Sequence, residues 1–160
     1  MIKLDWTIPA IALTLSGILL IWVRSKLSAL KSKKKQSNRE DHDEKLLRSV
    51  YHKIVRLFEE EKVFLNKHIK VVDIASQLNQ NEKTISRAIN RYSNGNFNTF
   101  INSFRVQYSK DLLQSGKLDH YTIEAIAEES GFANKVSFYN AFKSVTGMSP
   151  KQFRGSKHFK

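Results

Sequence analysis

No cysteine occurs in the chain, which excludes disulfides, thiol catalysis and cysteine-ligated metal and agrees with a reducing compartment. The five histidines, His42, His52, His68, His120 and His158, are scattered, and none stands at metal-ligand spacing with a carboxylate. Glycine-rich phosphate loops and nucleophile elbows are missing. The run Glu59-Glu60-Glu61 sits near a helix end and reads as solvated charge. An enzyme is therefore not expected, and neither is a cofactor or a metal. Strand signals are missing too, because no run alternates apolar and polar residues for long enough. Two further gaps are local: residues 6–23 carry no charge, and residues 24–39 carry no acid.

The uncharged run, WTIPAIALTLSGILLIWV, would span about 27 Å as a helix, close to the hydrocarbon thickness of a bilayer. Trp6 and Trp22 stand at its two ends, where amphipathic rings favour the headgroup level. Its nine large aliphatics contribute about −0.3 to −0.6 kcal/mol each, enough to outweigh Thr7, Pro9, Thr14, Ser16 and Gly17. A transmembrane helix is expected over residues 6–23. The rivals are a buried globular helix and a cleaved signal peptide. Scant positive charge before the run and the lack of a small-x-small site after it count against the signal peptide.

The net charge of +12 has two sources. Residues 24–39 hold Arg24, Lys26, Lys31, Lys33, Lys34, Lys35 and Arg39. Such a block after an apolar run places the C-terminal side in the cytoplasm, and it can also meet anionic headgroups. It reads as a polar juxtamembrane linker, mobile and partly helical. The expected location is the bacterial inner membrane, with a single pass. The second source is residues 40–160, which hold nineteen Lys and Arg against fourteen Asp and Glu.

Those residues read as one all-α domain of about seven short helices. Leu46, Leu47, Val50, Tyr51, Ile54, Leu57 and Phe58 recur at helical spacing. Glu40, Asp41, Asp43 and Glu44 suggest the N-terminus of that helix, where the dipole favours acids. Breaks fall at residues 79–81, 94–95 and 115–116, and at Gly131 and Gly147.

The stretch AIAEESGFANKVSFYNAFKSVTGMSP describes two short helices set at an angle. Thr122 can cap the first, Ala127 is small where helices cross, and Gly131 suits a corner with positive φ. Phe132 plugs that corner, and Asn134 can cap the second helix. Phe138 and Phe142 then face inward, while Lys135, Ser137, Tyr139, Asn140 and Lys143 stay outside. Ser149-Pro150 with Gln152 reads as a capping box with proline at the first helical position. A similar unit lies earlier. Ile74, Ala75 and Leu78 precede an Asn-rich corner, and Ile85 and Ile89 anchor a helix that leaves Lys83, Thr84, Ser86, Arg87 and Asn90 outward. The two helix–turn–helix units, over residues 71–92 and 122–145, are joined by a helix over residues 99–114. Such a pair can read two successive major-groove faces about 10 bp apart. Phe100, Phe104 and Tyr108 of the connector read as core, not as an RNA-stacking platform. Arg105 and Arg154 suit a carboxylate or a helix C-terminus as well as a phosphate.

IEAIAEESGFANKVSFYNAFKSVTGMSPKQFR resembles the C-terminal signature of the AraC-type transcriptional regulators. The resemblance covers roughly residues 57–154, and takes in Gly95, Phe97, Arg105 and Leu112-Leu113. It implies a DNA-binding domain, with double-stranded DNA and RNA polymerase as partners. It also implies base readers at Lys83, Ser86 and Arg87, and at Lys135, Val136, Ser137 and Asn140. Asn79 replaces a frequent corner glycine, and Ser109 a usual alanine. Val136 stands where a polar reader is common, so it would touch a thymine methyl or nothing. Overall the chain is most similar to the C-terminal part of membrane-anchored regulators that carry a tetratricopeptide-repeat sensor. Only five residues precede the apolar run, so the sensor is expected elsewhere, in a partner or in a longer form of the chain. Helix–turn–helix corners also occur in domains that bind no DNA, so a membrane-anchored adaptor for a protein partner is the alternative.

Overall fold

The computed structural model describes residues 7–93, 95–115 and 121–156, with side chains from Trp22 onward except Val23. Those residues form seven α-helices and no strand: α1 (Thr7–Glu61), α2 (Val71–Gln77), α3 (Glu82–Tyr92), α4 (Phe97–Ser115), α5 (Ile123–Glu129), α6 (Lys135–Thr146) and α7 (Pro150–Ser156). A 3-10 turn, Val63–Leu65, follows α1. The chain divides into two compact units, one ending at Lys45 and one beginning at Leu46.

In the first unit, the expected membrane span falls, Trp22 apart, on side chains that lie outside the described residues; the backbone from Thr7 is helical. Among the described residues no helix is long and apolar enough to cross a membrane. Residues 24–39, expected as a partly helical linker, are helical throughout. The reason is local. No proline or glycine interrupts residues 24–61, and most of the basic block is Lys, Ala, Leu and Arg, all good helix formers. Ser28 and Ser32 donate to the carbonyls of Ser25 and Ala29 at 2.8 and 2.9 Å, which keeps their hydroxyls inside the helical pattern. The helix start expected at residues 40–44 is absent. Those acids lie inside α1 and serve side-chain pairs one turn apart, Gln36 with Glu40 at 3.0 Å and Lys45 with Asp41 at 2.9 Å.

The second unit holds two apolar clusters. The last turns of α1 bury Leu47, Val50, Ile54, Leu57 and Phe58 against Ile74 of α2, Ile85 and Ile89 of α3 and Phe100 of α4. Leu46, expected in the same stripe, is 43% exposed because it falls beside the buried face. The second cluster joins Val106 and Leu113 of α4 to Ile126, Phe132, Phe138 and Phe142. Thus α4, the expected connector, belongs to both cores. Phe104 packs edge-on against Phe58 at 5.1 Å, and Phe100 lies 5.0 Å from the same ring, in keeping with their expected place in the core. The closing helix begins as its sequence suggests: Ser149 N–H donates to Gln152 Oε1 at 2.9 Å, and Gln152 N–H donates to Ser149 Oγ at 3.3 Å.

One joint ties the two clusters together. The buried Arg105 of α4 donates from Nε to the carbonyl of Phe64 at 2.8 Å and from a terminal nitrogen to that of Asn66 at 3.0 Å. Its guanidinium carbon lies 5.7 Å from the centre of the Phe132 ring. Burial lowers its pKa from the usual guanidinium value. Arg105 thus satisfies carbonyls at the end of the 3-10 turn, which is the helix-terminus role among those the sequence allowed. Gly131 meets the same turn. A Cβ placed there would stand 2.5 Å from the Phe64 carbonyl oxygen and 2.8 Å from Leu65 Cα.

Gly131 and Gly147 separate two effects, since both have left-handed φ, 80° and 77°, but Gly147 has no neighbour within 4 Å of an added Cβ. Gly147→Ala is expected to lose about 1–2 kcal/mol, the left-handed penalty alone. Gly131→Ala is expected to lose about 1–3 kcal/mol more, since its methyl displaces the turn. Denaturant unfolding measures both, and equal losses would show that the close approach is not made. Arg105→Met keeps the apolar stem but removes the hydrogen bond to the carbonyl of the buried Phe64, for an expected loss of about 1–3 kcal/mol in the same measurement.

Candidate nucleic-acid interface

Each helix–turn–helix corner is built from local backbone bonds and one left-handed residue. In the first, Gln80 N–H donates to the Ala75 carbonyl at 2.8 Å, and Asn79 adopts φ 50° where glycine is frequent. In the second, Phe132 N–H donates to the Ala127 carbonyl at 3.0 Å across Gly131, and Phe132 is buried as expected. Thr122 caps α5 by accepting from Ala125 N–H at 3.1 Å.

The helices after the corners start in the same manner. Asn81 Oδ1 accepts from Thr84 N–H at 2.8 Å, and Asn134 Oδ1 accepts from Ser137 N–H at 2.9 Å. Each cap satisfies one donor and leaves the remaining first-turn amides facing outward, with the positive end of the helix dipole behind them.

On α3, Ile85, Ala88 and Ile89 are buried, and Lys83, Arg87 and Asn90 are exposed. Thr84 and Ser86 are half-buried, and the Thr84 hydroxyl donates to Asn81 Oδ1 at 3.0 Å. On α6, Phe138 and Phe142 are buried, and Lys135, Val136, Ser137, Asn140 and Lys143 are exposed. Val136, at 68% exposure, is the most exposed large apolar side chain described. Tyr139, expected outside, is half-buried. Its ring stands edge-on to Phe138 at 5.9 Å and lies 5.6 Å from the Lys135 ammonium.

The structure gives Lys135 a partner that sequence spacing does not suggest. Its ammonium lies 2.5 Å from the Glu124 carboxylate of α5. The hydrogen bond to Glu124 raises the lysine pKa, and the same bond lowers that of the glutamate. Glu128, one turn further along α5, lies 3.9 Å from Lys67. These pairs cross a corner or join distant segments, so no periodicity signals them. Arg154, for which the sequence allowed a carboxylate, a helix C-terminus or a phosphate, donates to the Tyr121 backbone carbonyl at 2.9 Å.

Residues 74–156 match the family described as "Helix-turn-helix domain". The Msm operon regulatory protein of Streptococcus mutans is 31% identical over 86 residues, covering 54% of this chain and 30% of that protein. The chain thus spans under a third of that relative's length. Among solved structures, the C-terminal domain of AraT, a response regulator from Geobacillus stearothermophilus, is 26% identical with a TM-score of 0.55, covering 69% of this chain and 84% of that one. The DNA-binding domain of AdpA, solved in complex with a target DNA, shares the fold at 18% identity and a TM-score of 0.58, covering 68% of this chain and 93% of that one. With both corners, both caps and the connector in place, the chain belongs to the helix-turn-helix domain family, in its AraC-type form.

Proposed function

We propose that the chain is a sequence-specific, DNA-binding transcription regulator that reads two successive major-groove faces with α3 and α6. The observation that carries this reading is the pair of capped helices, each with a polar outer face, attached to one connector. At nineteen residues, α4 is roughly 28 Å long, comparable to the ~34 Å helical repeat of DNA. Family membership and the regulatory names of its relatives support the same reading.

In this reading Lys83, Ser86 and Arg87 of α3, and Ser137 and Asn140 of α6, address base edges. Arginine suits guanine and asparagine suits adenine, while Val136 meets a thymine methyl. Thr84, Asn90, Tyr139 and Lys143 flank these readers, and the first-turn amides suit phosphate. The adaptor alternative is less favoured, because the first two turns of α3 and α6 carry a single exposed large apolar side chain, Val136. RNA polymerase is the proposed protein partner, and a sensor the proposed source of signal.

We also infer a membrane anchor. The uncharged run of residues 6–23 and the seven cations of residues 24–39 support a single pass with the domain in the cytoplasm, at the inner membrane. Target DNA would then be read beside the membrane surface.

Two measurements check these readings. Full chain in mild detergent is expected to bind duplex DNA with a log affinity that falls by about 0.9 per phosphate contact for each unit of log salt. Arg87→Ala and Asn140→Ala should each lose about 1–3 kcal/mol on a site selected by the wild type, with smaller losses on random duplex. No salt-dependent binding at low ionic strength would favour the adaptor. For the anchor, membranes from expressing cells are washed with alkaline carbonate. The protein is expected in the pellet, and release to the supernatant, or shortening by about 25 residues, would contradict the anchor.

A further inference from the structure

The two units correspond on either side of their corners, the second corner being one residue longer, and the correspondence exposes a difference in charge. Asn79 and Gly131 share positive φ, and Asn81 and Asn134 cap the next helices. Counting back from the left-handed residue, Val72 and Ser76 of α2 stand where α5 carries Glu124 and Glu128. Counting forward from the cap, Glu82 opens α3 where Lys135 opens α6. An acid suits the positive end of a helix, whereas a lysine there is opposed by the dipole. Glu124 offsets that repulsion. Lys67, Glu124, Glu128 and Lys135 all line one shallow cleft of about 300 Å³.

We propose that Glu124, with Glu128 one turn behind it, is a specificity-determining residue: it holds the Lys135 ammonium in the free protein and must release it before that lysine meets a phosphate. The inference rests on reading α6 as a DNA-binding helix. Binding to random duplex is driven by lysine–phosphate contacts and the counterions they release. Glu124 weakens that sequence-independent term by occupying Lys135. Hydrogen bonds from Asn140 to base edges and the apolar contact of Val136 are left intact. The second unit therefore gains little from arbitrary DNA and depends on its own site. The first unit has the apolar Val72 in that place. A structural role for Glu124 is small, because the two side chains are 58% and 51% exposed and pairs of that kind add little to stability.

The test compares wild-type full chain, Glu124→Gln, Lys135→Gln and the double variant, in mild detergent, on random-sequence duplex across a salt series. Glu124→Gln is expected to melt with the wild type and to bind random duplex about two- to fivefold more tightly at low salt, the range set by one exposed pair. Its salt slope should steepen by about 0.9, one additional phosphate contact. Lys135→Gln alone should bind no more tightly than the wild type, and the double variant should lose the gain. If the wild type binds and Glu124→Gln matches it in affinity and slope, the inference is overturned. A gain that persists in the double variant also overturns it, because Lys135 would then play no part. Failure of the wild type to bind any duplex would instead remove the DNA-binding reading on which the inference stands.

Discussion

A guanidinium taken out of water is tolerable only where its hydrogens find acceptors, and Arg105 finds them in two backbone carbonyls of another segment. Those carbonyls belong to Phe64 and Asn66, at the end of a short turn; the Asn66 carbonyl also accepts from Ile69 N–H at 3.2 Å, and the buried Phe64 carbonyl accepts from the arginine. The same arginine lies against Phe132, the plug of the second corner. One side chain of α4 therefore touches the turn that leads into the first unit and the corner of the second. Gly131 completes the joint, since only a residue without Cβ lets the corner sit against the Phe64 carbonyl. The joint lies between the segments that carry α3 and α6, beside the two apolar clusters that pack on α4.

Around it, α4 serves as a shared wall. Its first half closes the cluster of Phe58, Ile74 and Ile89, and its second half closes the cluster of Ile126, Phe138 and Phe142. Neither short pair of helices has enough apolar surface to stand by itself, so each is stabilised against the connector. The arrangement explains how helices of seven to twelve residues can present polar outer faces in fixed directions. It also explains Ser109: the buried hydroxyl donates to the Val106 carbonyl at 2.7 Å, so it takes the place of an alanine without leaving a polar group unpaired.

The two units share a geometry and differ in electrostatics. Both begin their outward-facing helix with an asparagine cap and a left-handed corner residue. The first places an acid at the first helical position; the second places a lysine there and a compensating glutamate on the neighbouring helix. Equivalent folds thus carry different charge patterns on the faces proposed to meet DNA, which is the condition for two units of one chain to contribute unequally to affinity and to choice of site.

The features that a short window of residues determines were legible in the sequence. The all-α class comes from apolar spacing, the corners from Asn79 and Gly131, and the caps from Thr122, Asn134 and Ser149, because each acts within four residues of itself. The connector over residues 99–114 was legible for the same reason. Where residues 24–44 were read as linker and helix start, local signs competed: a charged, polar composition suggested a linker, while the absence of proline and glycine let the helix run through. Other features were decided by tertiary structure alone. The partners of Arg105 lie about forty positions away, and Glu124 reaches Lys135 across a corner. Sequence periodicity shows which residues face inward, but it carries no information on which distant groups meet there. Those meetings depend on how the helices cross, and the crossing is set by packing against α4.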